Sequence, residues 1–184
     1  MIKRILKKLT FLTRANRIGP DMLLTHWMLH SRWLGRLLCE KKLKYLGVGA
    51  SIRPGAYAIE THNISLGKNV VIRPGCMLFS DPHLGGSEIV IEDDVLVGSC
   101  VHIYVDNHAF GNIDKPISEQ GFTSSKTVKI KKGAWVGANV TVLAGVTIGT
   151  NSVVAAGSIV TKSVPDYCVV AGNPAKLISD KNAQ

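Results

Sequence analysis

From Ile130 onward the chain falls into sixes: IKKGAW VGANVT VLAGVT IGTNSV VAAGSI VTKSVP. The leading positions, Ile130, Val136, Val142, Ile148, Val154 and Val160, are all aliphatic. Four places after the first five of them come Ala134, Val140, Val146, Ser152 and Ser158, each small or β-branched. A period of six is neither the 3.6 of a helix nor a long simple strand alternation. Fixed self-similarity of this length marks a β-solenoid. The pattern predicts a triangular coil with one short strand per side, in which each leading aliphatic points inward and stacks on its counterpart in the next coil. Small residues near the corners let the backbone turn sharply, and Gly137, Gly145 and Gly149 suit such turns.

The same period runs upstream with interruptions. Leu46, Ile52 and Ala58 form one set, Leu66, Ile72 and Leu78 the next, and Ile91, Val97 and Ile103 a third. LGVGASIRPG and LGKNVVIRPG align almost residue for residue. Between Ile103 and Ile130 the period fails, which predicts an inserted loop at about 106–127; a long insertion in a regular solenoid is usually functional. The domain plan is therefore a helical segment over 1–45, coils over 46–165 carrying that insertion, and a tail over 166–184.

The first 45 residues have a different pattern. Ile2, Ile5, Leu6, Leu9 and Leu12 recur near helical spacing among Lys3, Arg4, Lys7 and Lys8. Gly19-Pro20 breaks the chain, and Asp21 is placed to cap a second helix running to about Cys39. A membrane-spanning helix needs ~20 nearly uncharged apolar residues. Here His26, His30, Arg32 and Arg36 interrupt the apolar run, so no span is predicted, and no signal-peptide cleavage pattern is evident. His26 and His30, at i and i+4, have metal-ligand spacing but no third ligand nearby, which favours a structural role.

Charge sharpens this division. Residues 1–45 hold eleven Lys and Arg against Asp21 and Glu40, a net +9, whereas residues 46–184 hold eleven of each sign and net to zero. The body carries no positive excess with which to neutralise phosphates, so nucleic acid is not an expected partner. A basic amphipathic segment can lie on an anionic membrane face; a helical pair packed on the body or on a neighbouring subunit accounts for the same pattern. With 46% hydrophobic and 19% charged residues the chain is globular rather than disordered. Cys39, Cys76, Cys100 and Cys168 share no metal-like spacing and read as reduced, mostly buried thiols of a cytoplasmic protein, peripheral to the inner membrane face if the segment docks there.

Candidate chemistry gathers at the start of the insertion, in VHIYVDNHAFG, residues 101–111. Together with GAWVGANVTVLAGVTIGTNSVVAAGSIVTKSVPDYCVVAGNPAKLI, this stretch resembles the hexapeptide-repeat acyltransferases, among them the maltose, galactoside and streptogramin O-acetyltransferases and the sugar acetyltransferases of bacterial polysaccharide loci. The resemblance covers about residues 46–180. It implies an all-β, left-handed parallel β-helix, a homotrimer with active sites between subunits, and acetyl-coenzyme A as donor without a metal. It also implies a catalytic histidine at the position of His108, which takes a proton from the acceptor hydroxyl so that the oxygen attacks the thioester directly. By the same mapping Trp135 and the backbone amide of Ala138 meet the thioester or pantetheine, Ala156 and Gly157 line the pantetheine arm, and Lys162, Pro174 and Lys176 lie near the nucleotide.

There are two departures. Some relatives carry a paired-histidine motif where this chain has Asp106-Asn107-His108, and the galactoside-type serine hydroxyl is absent at Ala138. Imidazole suits the role of base because its ordinary pKa of ~6.5 leaves it largely neutral at pH 7. Asp81, His83, Asp106 and Asn107 are candidates to touch the acceptor, a small-molecule or lipid-linked sugar. Whether oxygen or an amino-sugar nitrogen is acylated stays open. The γ-type carbonic anhydrases, which share the coil and hold zinc on three histidines, would nominate His83, His102 and His108, but their last pair is spaced by five residues rather than six. A non-catalytic scaffold is the third class, since fold alone does not set function.

Overall fold

A computed structural model describes residues 15–181; the helix expected over residues 2–12 lies outside them. A short strand, β1 (Arg17–Ile18), and two helices, α1 (Leu23–Met28) and α2 (Arg32–Lys42), precede the coils. The single helix expected from Asp21 to Cys39 is thus two, broken at Leu29-His30-Ser31. Asp21 caps neither: its carboxylate accepts from Arg17 Nη1 at 3.0 Å and Tyr57 Oη at 2.8 Å. Ser31 starts α2 instead, its hydroxyl accepting from Leu34 N–H. Buried Gly35, Leu38 and Cys39 seat α2 on the first coil.

Three faces then repeat. The first comprises β2 (Tyr45–Leu46), β5 (Ile64–Leu66), β8 (Ile89–Ile91), β11 (Val128–Ile130) and β14 (Thr147–Ile148). The second begins with β3 (Ser51–Ile52) and β6 (Val71–Ile72) and continues with β9 (Leu96–Val97), β12 (Trp135–Val136), β15 (Val153–Val154) and β17 (Cys168–Ala171). The third comprises β4 (Tyr57–Ile59), β7 (Met77–Phe79), β10 (His102–Tyr104), β13 (Thr141–Val142) and β16 (Ile159–Val160), with β1 antiparallel along β4. Neighbours between coils are parallel and in register: Ile91 faces Ile130 and Ile130 faces Ile148, while Val136 faces Val154. The last coil strand ends at Ala171 rather than near 165, because Val169 and Val170 pair with Val153 and Val154; β18 (Lys176–Asp180) then folds back antiparallel on β17.

The inward columns account for the core. Leading residues Ile91, Ile103, Ile130, Val142 and Ile148 are buried, as are the corner residues Ala134, Val140 and Val146. Ser152 and Ser158 are buried too, their hydroxyls donating to the carbonyls of Gly149 and Ala155. Each fully buried Ile or Val contributes about 1.5–3 kcal/mol, so registration of these columns dominates the stability of the coil. The glycines that the repeat places at corners serve two purposes, not the one that spacing predicts. Gly145 does take the left-handed turn (φ 79°), but Gly137 and Gly149 do not. They are glycine because a Cβ would lie 2.6 Å from Ala156 N and 2.4 Å from Asp166 N in the next coil. Close coil stacking, not turning, requires them. Cys100 is exposed at a corner in the left-handed region, while Cys39, Cys76 and Cys168 are buried as expected.

Candidate active site

Third-face strands hand over to first-face strands along one edge of the prism, and there the connections lengthen into 80–88 and 105–127. Between these loops lies a cavity of about 890 Å³. Asp81, His83, Asp106, Asn107 and His108 all line it, so the acceptor candidates and the candidate base come together in one place.

Asp81 organises this edge. Its side chain is buried and accepts from the backbone N–H of His83 at 2.8 Å, from Ser87 N–H at 3.3 Å, and from the hydroxyl of Ser125 at the far end of the insertion. The Ser125 hydroxyl, opposed in part by burial and helped by His83, holds the Asp81 carboxyl well below the usual carboxylate range. His83 Nδ1 also lies 2.8 Å from Asp81 Oδ1. An ionised carboxylate can only accept, so Nδ1 is the nitrogen that donates. Asn63 completes the frame, its amide donating to the carbonyls of Asp81 and His83 at 3.0 and 2.6 Å.

His108 is held differently. Its ring stacks on Phe122 at 4.5 Å, and a short antiparallel bridge joins the same two residues, so the two arms of the insertion grip each other. Thr123 N–H donates to Asn107 O at 2.8 Å and Ala109 N–H to Gly121 O at 3.0 Å. The ring makes no hydrogen bond among the described residues. Asp106 sits close by: burial and then the Asp81 charge push its carboxyl above the ordinary value, and His108 pulls it back. The cavity wall is aromatic, with Phe79 and Tyr104 stacked at 5.2 Å and Tyr57 edge-on to Phe79.

Most donor candidates lie elsewhere, on the edge between the second and third faces. Ala138, Ala156 and Gly157 adjoin there, with Gly157 N–H donating to Ala138 O at 2.8 Å. The backbone N–H groups of Ala138 and Ala156 meet no acceptor among the described residues, and a Cβ on Gly157 would enter open space. Half-exposed Trp135 stands on the adjacent face between Leu96 and Val153. Pro174 and Lys176 follow the last coil strand at the same edge, where Ala175 N–H donates to Ile159 O. Lys162 follows β16 and so falls on the far side of the third face from them.

His102 points outward from β10 toward Tyr104 and does not line the cavity. Among the described residues, no three His, Cys, Asp or Glu side chains surround a common point, and His26 and His30 meet only edge to face. Glu60, left-handed at φ 52°, and Ser125 line the cavity without having been singled out from sequence. Glu60 occupies the four-residue step before β5, and only coil stacking sets it beside the longer loops.

Residues 127–162 match the bacterial transferase hexapeptide (six repeats) model. Galactoside O-acetyltransferase of Escherichia coli is 31% identical over 145 residues, which cover 79% of this chain and 68% of that protein. The chain belongs to the hexapeptide-repeat acetyltransferase family. YJL218W of Saccharomyces cerevisiae, assigned as an acetyltransferase, is 36% identical over 127 residues, covering 69% of this chain and 61% of the yeast protein; the chain thus spans about three-fifths of that relative's length. A galactoside acetyltransferase solved in complex with coenzyme A superposes with a TM-score of 0.73 at 29% identity, over 83% of this chain and 74% of that one. The coil described above is the left-handed parallel β-helix of this family.

Proposed function

We propose that this protein transfers an acetyl group from acetyl-coenzyme A to a hydroxyl of a sugar, small or lipid-linked, of the kind built into bacterial surface polysaccharide, with His108 as general base. The observation that carries this reading is the cavity at the loop edge. It sets an exposed imidazole beside an aromatic wall and the carboxylates of Glu60, Asp81 and Asp106. Aromatic faces suit the apolar C–H faces of a sugar ring, and carboxylates accept from its hydroxyls.

The donor fits the tight edge. An open strip of backbone with two unused N–H groups, no side chain larger than a methyl at Ala138, Ala156 and Gly157, and the flat wall of Trp135 suits an extended pantetheine arm, and Pro174 and Lys176 stand where its nucleotide would follow. In the reaction His108 accepts the hydroxyl proton as the oxygen bonds to the thioester carbon. The Ala138 N–H is the donor proposed for the resulting oxyanion. The C–S bond then breaks, and the imidazolium returns its proton to the departing thiolate.

Placing acceptor and donor sites on different edges supports a homotrimer. The two edges lie a full side apart, up to ~20 Å for six residues at ~3.3 Å each. One chain does not bring them together, whereas a side-by-side copy sets its tight edge against this chain's loop edge, and three such contacts close a ring. A second base has one observation in its favour: His83, not His108, carries an orienting carboxylate.

The test is coenzyme A release across a panel of sugars and their amino analogues, with donor affinity measured separately. His108→Ala is expected to lose ~10²–10⁴-fold in kcat with donor binding intact. The same loss in His83→Ala alone transfers the role to His83. Absence of donor binding in the unmodified protein defeats the acetyltransfer reading, and turnover of amino sugars alone moves the acceptor atom to nitrogen.

A further inference from the structure

The acetyltransfer reading leaves one surface unused. Leu23, Leu24 and Trp27 of α1 and Trp33 and Leu37 of α2 are exposed, Leu23 by 78% and Trp33 by 69%. These helices already have buried faces: Thr25 in α1, and Gly35, Leu38 and Cys39 in α2. A helix that only caps a coil would show water a polar outer face. Here Trp33 and Leu37 form one i, i+4 row, flanked by the Arg32–Arg36 row and by Lys41, and Leu23 and Trp27 form another.

Charge decides what fits. The segment holding these helices, residues 15–45, carries six Lys and Arg against two acidic residues, a net +4, and the coils net to zero. Its two acidic residues are both engaged, Asp21 with Arg17 at 3.0 Å and Glu40 with Arg36 at 2.8 Å. Two-fold pairing of this face with its own copy would bring two strongly basic segments together, and the neutral body offers no opposing field. An anionic surface with an apolar layer beneath it satisfies both features: indoles sit at the headgroup level and guanidinium and ammonium groups meet lipid phosphate.

We infer that the outer face of α1 and α2 docks on the surface of an anionic phospholipid bilayer, with Trp27 and Trp33 entering the headgroup layer and Arg32 and Lys41 pairing with lipid phosphate. No described helix is long and apolar enough to cross the bilayer, so the contact is peripheral. The same end of the prism holds part of the loop-edge cavity: Ile59 and Glu60 belong to the first coil, on which α2 packs. Docking would therefore set the acceptor cavity close to the lipid surface.

The experiment is sedimentation of the full chain with phosphatidylcholine vesicles, with and without phosphatidylglycerol, read without any substrate so that it stands apart from acetyltransfer. Binding is expected only with phosphatidylglycerol and should weaken as salt is raised. Trp27→Ala with Trp33→Ala should lower partitioning at least ~10-fold, and Arg32→Gln or Lys41→Gln about fivefold each. All are exposed positions, and an unchanged thermal midpoint confirms that each variant folds. Failure of the unmodified chain to bind phosphatidylglycerol vesicles overturns the inference. Binding unchanged in the double tryptophan variant overturns it as well, placing contact on another part of the chain. So does a loss of oligomeric state in that variant without any vesicle binding, which would show that a second copy covers the face.

Discussion

The two long edges of the third face are built from the same repeat and do opposite things. Every connection from the second face to the third is four residues long: 53–56, 73–76, 98–101, 137–140 and 155–158. On the other edge 60–63 and 143–146 keep that length, but 80–88 and 105–127 abandon it. A four-residue corner has its backbone committed to the turn and its inward side chain committed to the core. At Ala138, Ala156 and Gly157 the outward side chains are no larger than a methyl, so that stretch of the tight edge offers a ligand little beyond backbone N–H groups. The long connections free whole side chains, which must then be fixed by other means. Asp81 supplies that fixing through three donors besides the His83 ring. For the proposed reaction the comparison implies a division of labour: repeated backbone at one edge suits the extended donor, and the side chains of the longer loops at the other suit a particular acceptor.

Experiments can break or sharpen this contrast. The largest effect is expected for His108→Ala, as above. Next comes Asp81→Ala, which strands the Ser125 hydroxyl and the N–H groups of His83 and Ser87. It should cost about 1.5–3 kcal/mol in chemical denaturation, the range for bonds to a charged group, and weaken acceptor use more than donor binding. The pH sign follows from the depressed carboxyl. Its stabilisation is fully present above the unfolded value near ~4 and is lost as pH falls from there through the lower folded value, so wild type and variant should converge in acid. Equal differences at pH 3 and pH 7 would show that Asp81 acts by packing alone.

At the tight edge, Gly137→Ala should destabilise the protein by about 1–3 kcal/mol, since the new methyl meets Ala156 N at 2.6 Å. The same change at Gly111 in the insertion, where a Cβ meets nothing, should be silent in the same melt. Trp135→Ala should raise the KM for acetyl-coenzyme A by roughly tenfold, the loss of about 1.4 kcal/mol of aromatic contact, and leave kcat within a factor of a few. A fall in kcat instead would move Trp135 from donor binding to chemistry. The smallest effect concerns Asp106, whose carboxyl is raised by burial and by Asp81. An acid with a raised folded value loses stability on ionising, a cost present above the folded value and absent below the unfolded one. Asp106→Asn should therefore melt slightly higher than wild type at pH 7 and no higher at pH 3.

Much of the coil was legible because its signal is local and repeated. Ile130, Val136, Val142, Ile148, Val154 and Val160 could be read from spacing alone as the inward residues of successive sides, three columns in all, and the insertion appeared as the place where spacing failed. The helices were less legible: the apolar run from Met22 to Cys39 contains no Gly or Pro near residue 30 to announce a break, and Asp21 was drawn away from capping by Tyr57 and Arg17, partners 36 and four residues distant. Gly137 looked like a turn glycine because nothing in a linear pattern reports what stacks above it.

For the candidate site the division is sharper. Period, burial pattern and the resemblance of its motifs are properties of nearest neighbours along the chain, and they sufficed for a parallel β-helix with His108 at the mouth of an insertion. Which histidine meets a carboxylate, that Asp81 bonds to Ser125 across 44 residues, that Glu60 joins the cavity, and that Ala138 and His108 stand on different edges all depend on which coil lies above which. Coil stacking brings together residues separated by whole turns and loops of unequal length. That relation exists only after the hydrophobic columns have registered, so only the folded molecule decides it.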